Sequence, residues 1–209
     1  MYIAPVDAAL DEDEWRSFVH AQQFGQLVAA GRGRDVPVVV PTQFVLAGNE
    51  IVLHLVARNP MIEAIGENPR VLMSVAGDWA YIPSSWKVVR DEDPRTGIPT
   101  TYYAAAQLSG SATVTDSPDA IAEVLRTQEQ AFQPGVDAVD PLDHVKRFSA
   151  IRGIRIAVDE VRAKFKYGGN VDSEHRRAVI EHLQARKGPG DLVAASHTLR
   201  RLEARDLDS

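Results

Sequence analysis

Residues 77–87 read GDWAYIPSSWK, which places two of the chain's three tryptophans beside a tyrosine and two serines. Interior strands alternate aliphatic residues with polar ones at a period of two, and this run does not. Trp79, Tyr81 and Trp86 offer flat apolar faces, while Ser84 and Ser85 offer short hydroxyl donors. The mixture suits a ligand with a planar body and a polar tail.

Two cationic positions could hold such a tail. Arg58 follows the strand-like EIVLHLVA and precedes Asn59 and Pro60, a helix start by its N-cap and its donorless first residue. A guanidinium fork and helix N-terminal amides would meet an anion together. The plain alternative pairs Arg58 with Glu63. Lys164 and Lys166 alternate with Phe165 and Tyr167, so a strand puts both amines on one face, where they suit an anion or guard an edge strand against aggregation. Gly168, Gly169 and Asn170 let the backbone approach a ligand or simply turn.

His54, within IVLHLVA, shares a face with Val52 and Val56. A hydrogen-bonded core histidine is the ordinary reading, and an axial iron ligand is the chemical one. His175 and His182 lie about two helical turns apart, too far for one metal. The glycines of AGRGRD lack the third glycine and following helix of a dinucleotide loop and read as a hairpin turn. No serine-histidine-acid triad pattern or Gly-x-Ser-x-Gly elbow is evident.

The scaffold must position these groups. A chain of 209 residues accommodates one core with helical additions, and 44% hydrophobic against 25% charged residues is ordinary for a folded globule. The 23 basic and 29 acidic residues leave a net charge of −6, so the molecule as a whole lacks the positive field that draws proteins to phosphate backbones. Absence of cysteine excludes disulfides, thiolate metal sites and cysteine nucleophiles. MYIAPVDAALDEDEW is acidic where a secretory leader is basic and then apolar, and VPVVVPTQFVLAGNEIVLHLVA is broken by Pro37, Pro41, Gly48, Asn49 and Glu50. The expected location is cytoplasmic.

The pattern predicts a first helix over DEDEWRSFVHAQQ and six strands: FGQLVAA, VPVVVPTQFVL, EIVLHLVA, RVLMSVAG, TYYAAAQLSGSATVTD and GIRIAVDEVRAKFKYGG. Helices are predicted over NPMIEAIGENP and SPDAIAEVLRTQEQAF, with two more at the end, broken at Gly188, Pro189 and Gly190. This is a mainly β, α+β plan, an antiparallel barrel with peripheral helices. The terminal helices carry Arg176, Arg177, Arg186, Lys187, Arg200, Arg201 and Arg205, interspersed with acids as on solvated amphipathic helices, and no helix-turn-helix pattern stands out.

Five segments in order, MYIAP, LHLVARNP, GDWAYIPSSWK, IPTTYYAAAQLSG and KFKYGGN, resemble the PaiB-like family of FMN-binding split-barrel proteins, often labelled negative transcriptional regulators. The resemblance covers nearly the whole chain. It implies a six-stranded antiparallel split barrel of Greek-key type over residues 1–170, with residues 171–209 as a helical extension on the same domain. It further implies a homodimer with FMN in a cleft between subunits, and oxidoreductase chemistry on a small molecule. Arg58, Ser84, Ser85, Lys164 and Lys166 would face the polar end of the cofactor, Trp79, Tyr81, Trp86, Thr101 and Tyr102 the ring and substrate side, and Asn59, Thr100 and Asn170 would complete the contacts. Lys87 stands where an aromatic usually follows the tryptophan of the third segment. Relatives of the family, the piperazate synthases, use haem b to make a nitrogen–nitrogen bond; on that model His54 is the axial ligand and Lys164 or Arg58 lies near a propionate. The regulator label leaves a third possibility, a cofactor sensor that meets DNA through its terminal helices.

Overall fold

The computed structural model describes residues 1–206; the side chains of Arg205 and Asp206, and residues 207–209, lie outside that description. Seven strands, β1 (Phe24–Ala29), β2 (Val38–Gln43), β3 (Val45–Ala47), β4 (Glu50–Val56), β5 (Arg70–Ile82), β6 (Thr100–Thr115) and β7 (Ile151–Lys166), form one sheet in the order β2-β1-β5-β6-β7-β4-β3. The pairings of β1 with β2 and β5, and of β4 with β3 and β7, are antiparallel. Five helices accompany them: α1 (Glu12–Gln22), α2 (Pro60–Glu67), α3 (Pro118–Phe132), α4 (Ser173–Arg186) and α5 (Asp191–Asp206).

The sequence predicts six strands and a barrel, whereas the sheet has seven and its order is open, ending in β2 and β3. The extra strand comes from VPVVVPTQFVL, which divides at Phe44. There the backbone N–H donates to the Gln23 carbonyl at 3.1 Å, the ring is fully buried, and the chain changes partner from β1 to β4. Pro41 sits on the edge strand β2, where a missing backbone donor is tolerated.

The chain forms two compact units, and β5, β6 and β7 pass from one into the other. The larger comprises residues 16–75 and 106–162. Its β1–β2 hairpin turns through Gly31 and Gly33, both at positive φ as the sequence predicts for a turn there. Glu67 clasps that turn by accepting from the Arg32 backbone and from the Arg34 guanidinium. Asn59 caps α2 through its side chain, which accepts from the Met61 N–H at 3.0 Å, with Pro60 in the first turn. Ile51, Val52 and Leu53 on β4 are all fully buried, breaking strict alternation because α3 covers this strand. Each such side chain contributes about 1.5–3 kcal/mol by leaving water. Ser117 stands at the N-cap of α3 but its hydroxyl caps nothing.

The smaller unit comprises residues 1–15, 76–105 and 163 onward. α4 packs on α5 and on a short 3-10 turn, Ser84–Lys87. Its buried side chains include Tyr102, Phe165, Tyr167, Val179, Leu183 and Leu202. Tyr167 stacks on His197 at 4.7 Å and meets Tyr102 edge-on at 5.9 Å. Among the described residues no helix is long and apolar enough to cross a membrane.

Candidate cofactor site

β5 runs to Ile82, past the end predicted near Gly77, and this extension organises the aromatic segment. Ala80 and Ile82 are buried on one face, so Trp79 and Tyr81 project from the other, 64% and 49% exposed. Large apolar side chains exposed together, rather than singly, are a feature of interaction surfaces. They border a groove of about 370 Å³ whose far wall is the α4–α5 connection, Gly188 to Asp191. At Gly190 the backbone has φ +75° and a Cβ would stand 2.4 Å from the Trp79 carbonyl oxygen, so glycine alone lets the connection come this close. Arg186 closes on Asp191 through Nε and Nη2 at 2.7 and 2.6 Å and also donates to the Tyr81 carbonyl at 3.0 Å. The guanidinium holds the buried Asp191 carboxyl below the usual carboxylate range, with help from the Gly188 N–H.

Trp86 is turned toward α4. Its ring stacks on His182 with centroids 4.9 Å apart and planes at 14°, and the Arg186 guanidinium lies 4.4 Å from its centroid. Here the indole docks the 84–87 turn onto the helix. Ser84 is half-buried and Ser85 exposed.

The next residue, Lys87, stands out in the sequence only as a departure from the family pattern. Burial pushes its amine pKa down and the neighbouring charge of Lys166 pushes it further. Among the described residues no carboxylate pairs with either lysine. Lys164, by contrast, is committed: it is buried, forms a 3.7 Å ion pair with Asp7, donates to the Tyr2 carbonyl at 3.2 Å and lies near the rings of Tyr2 and Tyr103. The alternation of lysines and rings holds, but only Lys166 keeps its charge available.

Thr100 and Thr101 are half-buried at the start of β6, and Asn170 is exposed. Tyr102 points into the core at 1% exposure, with burial pushing its hydroxyl up to about 12. That hydroxyl has no hydrogen-bond partner among the described residues.

The remaining candidates belong to the larger unit. Arg58 is exposed in the turn between β4 and α2 and makes no ion pair among the described residues, since Glu63 joins Arg34 at 3.2 Å. Asn59 is spent on capping α2. His54 Nδ1 lies 2.6 Å from Oε1 of Gln128, itself buried on α3. In the tautomer whose Nδ1–H donates to the amide oxygen, Nε2 is the nitrogen that a metal would take.

Residues 1–160 match the family model described as "Putative FMN-binding domain". The chain belongs to this FMN-binding family. The match spans the candidates from His54 to Tyr102 and stops before Lys164, Lys166 and the terminal helices. Over 197 residues the sequence is 25% identical to the protease synthase and sporulation protein PAI 2 of Bacillus subtilis (strain 168), covering 90% of this chain and 92% of that protein. In fold it is similar to the flavocytochrome Anf3 from Azotobacter vinelandii, with TM-score 0.60 and 21% identity over 82% of this chain and 74% of that one. It is equally similar to the FAD and heme binding protein from Mycobacterium smegmatis, with TM-score 0.60 and 20% identity over 82% and 79% of the two chains. At such identities these two structures establish likeness of fold alone.

Proposed function

We propose that the protein is an FMN-binding oxidoreductase that acts on a small molecule as a homodimer, with the cofactor held where two subunits meet. The observation that carries this reading is that Trp79 and Tyr81 stand exposed along a groove in the same unit as Lys87 and Lys166, two amines near enough for the charge of one to lower the pKa of the other and unpaired with any carboxylate among the described residues. Such residues fit a group with a planar body and an anionic tail. When bound, FMN supplies the hydride or electron chemistry. The chain's own residues bind and orient it: Lys87 and Lys166 neutralise the phosphate with Ser84 and Ser85, while Trp79, Tyr81 and Thr101 border the ring and substrate. Trp86 acts from behind by fixing the 84–87 turn on α4, Tyr102 and Lys164 hold β6 and β7 in place, and Thr100 and Asn170 flank the contacts. Residues 171–209 serve as the helical extension of a cytoplasmic split-barrel domain spanning residues 1–170.

The test is FMN affinity in the Lys87→Gln/Lys166→Gln double variant, measured by flavin fluorescence. A loss of tenfold or more with an unchanged far-ultraviolet circular dichroism spectrum supports the assignment, and unaltered affinity overturns it.

A haem b enzyme is the second reading, favoured by the oriented imidazole of His54. It predicts a Soret band that disappears in His54→Ala. A DNA-binding regulator is less supported, because Arg176 and Arg201 are withdrawn from the surface and Arg186 is paired with Asp191.

A further inference from the structure

The groove beside β5 carries an uneven charge. Arg186 and Asp191 close on each other through two short hydrogen bonds, so together they present little net field. Asp78 also lines the groove, is exposed, and has no hydrogen-bond or ion-pair partner among the described residues. The residue after it is Trp79, and Tyr81 follows two positions later, both with exposed rings on the same groove.

These three side chains favour one ligand chemistry. An anion would meet the Asp78 carboxylate and find Arg186, the guanidinium among the described lining residues, already engaged by Asp191. A neutral apolar molecule would cover the rings but leave the carboxylate without a counter-charge. A small organic cation satisfies both: its charge meets Asp78, its polarised alkyl groups lie against the electron-rich faces of Trp79 and Tyr81, and Pro189 closes the apolar wall. The volume, about 370 Å³, is at the small end of ligand pockets. The chain's net charge of −6 adds long-range attraction for a cation.

We propose that the groove formed by Asp78, Trp79, Tyr81 and the Gly188–Asp191 turn binds the alkylammonium head of a small organic cation. This deepens the flavoprotein reading and rests on it in one respect: there the cation is the charged end of the substrate. Binding itself is independent of FMN.

The experiment is calorimetric titration at low ionic strength with choline and with its neutral isostere 3,3-dimethyl-1-butanol. Choline is expected to bind at least tenfold more tightly than the alcohol, and Asp78→Asn, a change at an exposed position, is expected to abolish that preference. Equal affinity for the two probes, no measurable choline binding, or a preference that survives in Asp78→Asn would overturn the proposal. Flavin absorbance of the same samples separates the two claims. Choline binding by protein that takes up no FMN supports the cation site and sinks the flavoprotein reading, while FMN uptake without choline preference does the reverse.

Discussion

Arg201 donates to the Glu14 carboxylate at 2.9 Å, with both side chains withdrawn from water at 5% and 0% exposure. The same guanidinium donates to the carbonyls of Val6 and Ala8 and lies 5.4 Å from the centre of the Phe165 ring, so it ties α5 to the N-terminal segment and to β7. Burial pushes the arginine pKa down, opposed by the carboxylate beside it. Removing one partner leaves a buried charge uncompensated, which costs about 3–5 kcal/mol. Arg201→Met and Glu14→Leu are each expected to lower unfolding free energy by that amount in urea titrations. The double variant is expected to lose less than either single one, because Glu14 Oε1 and Arg201 Nε have no hydrogen-bond partner among the described residues even in the wild type. Simple additivity would show that the pair is not coupled.

His175 governs a second, pH-dependent tie. Its Nδ1 lies 2.8 Å from Asp172 and its Nε2 3.2 Å from Glu92, while Arg90 pairs with Glu174 close by. The hydrogen bond to Asp172, then that to Glu92, raises the imidazole pKa above 6.5. A raised folded-state value means that the stabilisation is complete below pH 6.5 and is lost as pH rises through the folded value. Asp172 and Glu92 are lowered from 3.8 and 4.5, so their share is present above those values and lost as pH falls. The contribution of the cluster is therefore greatest between about pH 4.5 and 6.5. An NMR titration should place the His175 midpoint above 6.5, and His175→Gln should flatten the fall in stability on the alkaline side. A midpoint at or below 6.5 contradicts the assignment.

Gly168 supports Tyr102. Its backbone has φ +72°, and a Cβ there would stand 2.3 Å from the Tyr102 hydroxyl oxygen. Gly168→Ala should cost about 1–2 kcal/mol from the left-handed backbone alone, before the contact is counted. Tyr102→Phe removes a buried hydroxyl without a partner and should be close to neutral; in that background the cost of Gly168→Ala should shrink. Chemical denaturation of the four proteins checks both statements.

Local signals in the sequence are legible where the chain's own neighbours decide the outcome. Asn59 and Pro60 start α2 because the cap and the missing donor lie within two residues of each other. Phe44 shows the opposite case: nothing in VVVPTQFVL marks a break, since burial of its ring and a bond to Gln23 divide the run into β2 and β3. Charged residues are hardest to read. Arg176 and Arg201 look like solvated positions on amphipathic helices, yet the partner of Arg201 is 187 positions away. Lys164 looks like an anion ligand but is consumed by Asp7, and Trp86 looks like a cofactor ring but is stacked on His182. Lys87 reads in the sequence only as a departure from the family pattern, because a lone lysine after a tryptophan carries no pattern of its own; its proximity to Lys166 exists only in the folded chain.

The central claim, a flavin held by the smaller unit's rings and free amines, is tested most directly by the absorption spectrum of protein purified without added cofactor, followed by titration with FMN. A flavin spectrum that travels with the protein, or saturable quenching of FMN fluorescence on titration, is the predicted result. A colourless protein that leaves FMN fluorescence unchanged would contradict it, and a Soret band lost in His54→Ala would transfer the site to haem.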